Sequence, residues 1–276
     1  MSVKSAAATD SLHVSGLTRP LLEAELVISH NIYNGLPYIE DQLDIVNDQP
    51  TILRGALLLI NQYDMGKTLR AHLAHRHHAL DPGMIRVENK IQGTPYTLTR
   101  PMAIESVNIS EMHPSCLKAT ESGLVAFEFA EGQMTLDASE ASSQFFRKWF
   151  EFLHWNDATN LITLDCGLFE LCAEPTTEIE LRYGSTDATI TVPISACIRE
   201  GGTNIPTGWK AAGDLAGAQD STPPPGQHWN ESTKPDGTKT HKVHVDGLSS
   251  AANPQLVVQA LVRQHILRPT VDAIKS

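Results

Sequence analysis

The stretch Met84–Pro101, MIRVENKIQGTPYTLTRP, decides the fold class. Strand formers fill Ile85–Ile91 and Tyr96–Arg100, and Gln92-Gly93-Thr94-Pro95 between them carries turn chemistry, so the segment predicts a β-hairpin. Two further stretches read the same way. They are Gly123–Ala138, GLVAFEFAEGQMTLDA, and Thr177–Ile194, TEIELRYGSTDATITVPI, where Ile179, Leu181 and Tyr183 alternate with charged neighbours. Three hairpins predict an antiparallel sheet or barrel.

Helices flank these hairpins. In DQPTILRGALLLINQY, Asp48 is placed to cap, Pro50 to occupy the first turn, and Ile52, Leu53, Ala56, Leu57, Leu58 and Ile60 to form an apolar face. In SEASSQFFRKWFEFLHW, Phe145, Phe146, Trp149, Phe152 and Leu153 recur at helical spacing, which core packing explains. Residues 199–250 are rich in Gly and Pro and poor in apolar periodicity, so they predict a long loop. A last helix is expected at about 254–267, opened by Asn253 and Pro254. The predicted class is α+β, a central antiparallel β-sheet or barrel of hairpins with flanking helices, in a single domain over 1–276.

Composition narrows the function classes. The chain has 276 residues, 41% hydrophobic and 19% charged, enough for a sizeable core. With 21 Lys+Arg against 32 Asp+Glu the net charge is −11, which disfavours nucleic acid and anionic membrane surfaces as partners. No run reaches membrane-helix length and the N-terminus lacks a signal-like apolar core, so a cytoplasmic protein is expected. Four cysteines in a chain of this size predict thiols or metal ligands instead of a disulfide scaffold. There is no internal repeat, G-x-S-x-G, P-loop or G-x-G-x-x-G.

The candidate chemistry lies in HLAHRHHAL, residues 72–80, where four of the twelve histidines fall within seven positions. If residues 69–79 form a strand, Leu69, Ala71, Leu73, His75 and His77 share one face, while Arg70, His72, Arg76 and His78 lie nearer the other, solvent side. His75 and His77 are then placed to share a cation. A catalytic zinc needs a third protein ligand and an open position. Glu88 is the candidate, since the next strand can lie antiparallel to the first. If the run is helical, His72 with His75, or His75 with His78, meet at i and i+3. A run beside Arg70 and Arg76 equally suits a solvated edge. No two histidines are four apart, which counts against a dicopper site built on helices.

Two weaker sets remain. His113 and Cys116, with Cys166 and Cys172, offer zinc-type ligands, although small buried cysteines explain them as well. His228, His241 and His244 fall in the expected loop, as flap residues or merely polar ones.

The segments LAHRHHALDPGMIRVE, LDCGLFEL and EIELRYGSTDATITVP resemble a group of fungal proteins in which a His-Arg-His strand precedes an acidic residue. The whole chain is most similar to the cyclopenases of fungal quinolone alkaloid biosynthesis, zinc-dependent proteins labelled hemocyanin-like. The resemblance places the family's His-Arg-His on His75, Arg76 and His77 and its acidic position on Glu88. It departs at His78, where relatives have Phe, and in having no cysteine after Cys197, where several relatives carry a C-terminal Cys and His cluster.

The resemblance implies a Zn2+ enzyme held on His75, His77 and Glu88, with Glu88 as ligand or base. Its substrate is a small aromatic alkaloid: a cyclopenin-like benzodiazepinedione epoxide contracts to a viridicatin-like quinolone and expels methyl isocyanate, without redox. Trp149, Trp155 or Trp209 are candidates to line an apolar pocket. The alternatives are a non-catalytic small-molecule-binding protein and a metal-free, histidine-based isomerase or hydrolase.

Overall fold

The chain forms a closed β-barrel whose apolar side faces outward. The computed structural model describes residues 12, 14, 16–17, 19–42, 49–132, 140–167, 174–211, 225–233 and 236–269. Among these are helices α1 (Glu23–Asn34), α2 (Pro50–Gln62), α3 (Glu140–Trp155) and α4 (Pro254–Arg263). The strands are β1 (Leu69–Leu73), β2 (Met84–Lys90), β3 (Thr97–Ala103), β4 (Met112–Thr120), β5 (Gly123–Glu131), β6 (Ile162–Cys166), β7 (Thr176–Tyr183), β8 (Thr186–Pro193), β9 (Gly202–Trp209), β10 (Pro225–Thr233), β11 (Lys239–Thr240) and β12 (Lys242–His244).

Ten strands close in the order β1-β6-β4-β5-β2-β3-β8-β7-β10-β9 and back to β1, with β11 and β12 added beside β10 and β7. Eight seams are antiparallel. Two, β2 with β5 and β7 with β10, are parallel, so the barrel is mixed and not purely antiparallel. Closure pairs every edge of the ring, which removes the open backbone groups an isolated sheet would expose.

β2 with β3 and β7 with β8 are antiparallel neighbours joined by short turns. In the second turn Gly184 has φ +54, and a Cβ there would meet Ser250 Oγ at 2.6 Å. The stretch 123–138 differs from its sequence reading. Its first half is β5, but β5 pairs with the preceding strand β4, and 133–139 lie outside the described residues. Much of the expected 199–250 loop is strand: β9 and β10 pair over most of their length, and β10 also runs parallel to β7.

Period-2 alternation sorts the side chains. Outward, Leu69, Ala71 and Leu73 of β1 pack under Leu53, Leu57 and Ile60 of α2 and Phe145, Phe146, Trp149 and Leu153 of α3. Farther around, Ile179, Leu181 and Tyr183 of β7 pack under Val257, Val258 and Leu261 of α4. Pro50 sits at the first turn of α2, while the proposed cap Asp48 lies outside the described residues. At α4, Asn253 accepts from Leu256 N at 2.9 Å. Tyr33 of α1 is fully buried with Leu36, Ala74, Leu80 and Phe127. Inward, the strands present polar and charged groups. No described helix is long and apolar enough to cross a membrane.

Candidate functional site

The lumen encloses a cavity of about 330 Å³. Arg70 and His72 reach it from β1, Glu88 from β2, Cys116 from β4, Asp165 from β6 and Glu178 from β7. These are the inward positions of strands whose outward positions form the apolar layer.

β1 ends at Leu73, so His75 and His77 are not on a strand. The chain beyond it is pinned by Ala74 N to Leu161 O (2.9 Å), Arg76 N to Pro37 O (2.8 Å) and Ile39 N to Arg76 O (3.2 Å). This turn brings the His75 and His77 rings to 4.7 Å, nearly perpendicular, with their Nε2 atoms 3.3 Å apart.

The protons on this pair follow from the partners. His75 Nδ1 faces Leu73 O at 2.9 Å, and a carbonyl only accepts, so Nδ1 carries the hydrogen and Nε2 keeps its lone pair. Burial, with the neighbouring His77 and His72, lowers the His75 pKa well below the ordinary value and keeps it neutral. For His77 burial acts in the same direction, but Glu178 at 3.6 Å and Glu180 at 3.1 Å outweigh it and raise its pKa to about 9. His77 is thus an imidazolium that donates through Nδ1 to Glu180 and through Nε2 toward His75 and Glu178. In turn, His77 overcomes burial and holds Glu178 well below the usual carboxylate range. Trp229 Nε1 donates to the same Glu180 oxygen at 3.1 Å.

His72 is the histidine that joins this network to the cavity. It is 7% exposed and its Nε2 is buried without a hydrogen-bond partner; Glu178 Oε2 makes no direct hydrogen bond and faces the His77 imidazolium at 3.6 Å. Ligand-capable atoms of His72, His75 and Glu178 all lie within 4.8 Å of one another. His72 and Glu178 line the cavity, so a cation on this set has an open side toward it. Gly208 makes room for the ring: a Cβ there would lie 3.1 Å from His72 Cδ2 and 3.0 Å from Gln227 Cβ.

A second group, His72, Cys116 and Asp165, meets the same 4.8 Å limit. Here Asp165 Oδ2 is paired with Arg70 Nε at 2.7 Å and Asp165 Oδ1 accepts from the Cys116 thiol. Burial and Asp165 push that thiol well above its ordinary pKa. Deeper in the lumen Arg86 Nε lies 2.8 Å from Glu128 Oε1. Glu88 faces the cavity with no comparable ion pair. Burial raises its pKa from 4.5 to about 7, against the opposing pull of Arg70.

The structure therefore brings His75 and His77 together but not Glu88 with them. Among described groups of metal-ligating atoms, His75 is joined by His72 and Glu178, and both nitrogens of His77 face other partners. His72 and His78, expected toward solvent, are buried. Of the alternative set, Cys116 joins Asp165 and His72. His113 lines the cavity with Nδ1 donating to Pro114 O at 3.1 Å, and Cys166 is a buried free thiol. Cys172 lies outside the described residues.

His228 is a buried β10 residue, His241 stacks on Trp229 at 4.6 Å, and His244 is exposed. None of the three proposed tryptophans lines the cavity: Trp149 is core, Trp155 is 86% exposed and Trp209 packs in the outer layer. Tyr96 is the one Phe, Tyr or Trp residue among the described residues bordering the cavity, and it is 2% exposed and packed in the outer layer with Leu98 and Ile179.

Sequence reasoning did not single out Asp165 or Glu178, and it paired His72 with His75 only on the helical reading. The signal was present, since Arg70 with His72, and Glu178 with Glu180, are spaced two apart on strands with apolar alternates. The strand reading sets the Arg70 and His72 face toward solvent and gives the Glu178 and Glu180 face no direction.

Comparison of the chain with protein-family models, curated proteins and solved structures finds no match.

Proposed function

We propose that the protein is a zinc-dependent, non-redox enzyme of the lyase type, acting on a small molecule held in the barrel cavity. One observation carries this reading. Ligand-capable atoms of His72, His75 and Glu178 converge at a cavity wall, and His72 Nε2 is buried there without a hydrogen-bond partner. Leaving buried polar atoms unpaired is costly, and metal coordination is one of the few ways to recover that cost. Two imidazoles and a carboxylate with an open side are the ligand set of catalytic zinc.

Bound there, zinc supplies a Lewis acid that polarises a substrate oxygen as charge develops on it. Leu73 O fixes Nδ1 of His75 as the donor, so Nε2, which accepts from His77 in the metal-free site, is the nitrogen that would bind the ion in its place. His77 is held by Glu180 through Nδ1, and its Nε2 faces the coordinating side of both His75 and Glu178, so that N–H would turn aside or leave as a metal enters. Glu88, with a pKa of about 7, takes or returns a proton across the cavity near neutrality.

The resemblance to cyclopenases supports a narrower form: contraction of a cyclopenin-like epoxide to a viridicatin-like quinolone with loss of methyl isocyanate. Elemental analysis of the purified protein, paired with cyclopenin turnover before and after chelation, tests the reading. Zinc bound by wild type and lost in His72→Ala, with activity lost on chelation and regained with zinc, is the expected result. Full activity without metal, or bound iron with redox turnover, overturns the zinc reading; metal-dependent turnover of other substrates but not cyclopenin overturns the narrower form alone.

A further inference from the structure

We infer that the lumen holds a second, thiophilic divalent cation on Cys116, Asp165 and His72 Nδ1, so that the His72 ring bridges two metal ions. The inference rests on the cation already assigned to His72, His75 and Glu178, and adds a neighbour on the opposite side of the same imidazole.

Three features carry it. His72 belongs to both groups of converging ligand atoms. Its Nε2 is buried without a partner, while its Nδ1 stands 3.9 Å from Asp165 Oδ1, beyond hydrogen-bond reach. Asp165 is oriented for single-oxygen ligation, since Arg70 holds Oδ2 at 2.7 Å and leaves Oδ1 turned to Cys116. All three ligands line the cavity, so an ion has access to them.

The ligand types select the ion. Thiolate, imidazole and carboxylate together favour zinc or cadmium over magnesium or calcium. Binding exchanges protons for metal without redox change. The Cys116 S–H and the remaining His72 ring N–H each release a proton to solvent through the cavity. The freed sulfur and nitrogen electron pairs become the bonds to the second cation. Arg70 neutralises the Asp165 charge, and the Cys116 thiolate restores a net negative ligand set.

Zinc stoichiometry and cobalt spectroscopy on the full chain test this. Wild type is expected to hold two zinc ions per chain, Cys116→Ser one, and His72→Ala neither tightly. Cobalt-loaded wild type is expected to show a thiolate-to-cobalt charge-transfer band that Cys116→Ser lacks. A single zinc per chain, lost in His75→Ala but unaffected by Cys116→Ser, overturns the second site and leaves the first. No bound zinc in wild type overturns both. If Cys116→Ser does not fold, the cobalt band of wild type decides alone, and its absence refutes the inference.

Discussion

Replacing Arg86 with Met tests the charge layout of the lumen. Arg86 is 1% exposed, its Nε lies 2.8 Å from Glu128 Oε1, its Nη2 donates to Thr189 Oγ1 at 2.7 Å, and its guanidinium sits 5.4 Å from the Tyr33 ring centre. Met fills much of the same volume, so the change removes charge more than packing. Glu128, a half-buried carboxylate lining the cavity, is then left without its cation, which costs up to about 3–5 kcal/mol. For 276 residues the unfolding entropy is about 0.6 kcal/mol/K, so Tm falls by up to about 5–9 °C. Adding Glu128→Gln removes the stranded charge and recovers about half the loss or more. Thermal melts and urea titrations of wild type, both single variants and the double variant close the cycle. A single-variant loss below about 1 kcal/mol, or strictly additive effects, refutes the view that these two charges depend on each other.

Three other predictions follow from the same geometry. In chelated protein, the Glu88 carboxyl has a folded pKa near 7, above its ordinary 4.5. Its contribution to stability is therefore full below pH 4.5 and lost as pH rises through 7, by up to about 3 kcal/mol and less where the cavity side screens it. Glu88→Gln should abolish that slope in urea titrations from pH 4 to 8, and an unchanged slope would assign it elsewhere. Gly208→Ala presses a methyl to 3.1 Å from His72 Cδ2; it should weaken zinc binding by about 10–100-fold by competition with a chromophoric chelator, while wild-type affinity would show the ring has room to move. Trp149→Ala should cost about 3–5 kcal/mol and Trp155→Ala under about 0.5 kcal/mol, read from paired denaturation curves; equal costs would mean α3 is rotated from the face described.

The alternation in TEIELRY was legible, and its direction was not. A period of two shows that Ile179, Leu181 and Tyr183 oppose Glu178 and Glu180, yet it cannot say which set faces inward when both are covered. Here α4 buries the apolar set and the lumen takes the acids. β10, Pro225–Thr233, read as a loop because nearly all its side chains are polar. Its place is set by backbone pairing to β9 and, in parallel, to β7, partners that local composition does not reveal. β4 was missed because Pro114 and the register shifts around Cys116 break its alternation. His75 and His77 drew attention as a His-x-His pair. Glu178 lies about a hundred positions away and reaches them only through ring closure, so spacing along the chain held no trace of that contact.

The inverted polarity of the barrel has a consequence for how this protein can change. In most enzymes the residues that stabilise the fold and those that react compete for the same interior, and improving one set taxes the other. Here a single layer of strands separates them, with hydrocarbon on its convex side and ionisable groups on its concave side. Alternate codons along one strand thus answer to different selective pressures. A lineage carrying this fold can rewrite its lumen, and with it what the lumen binds, while the layer under α2, α3 and α4 is left untouched.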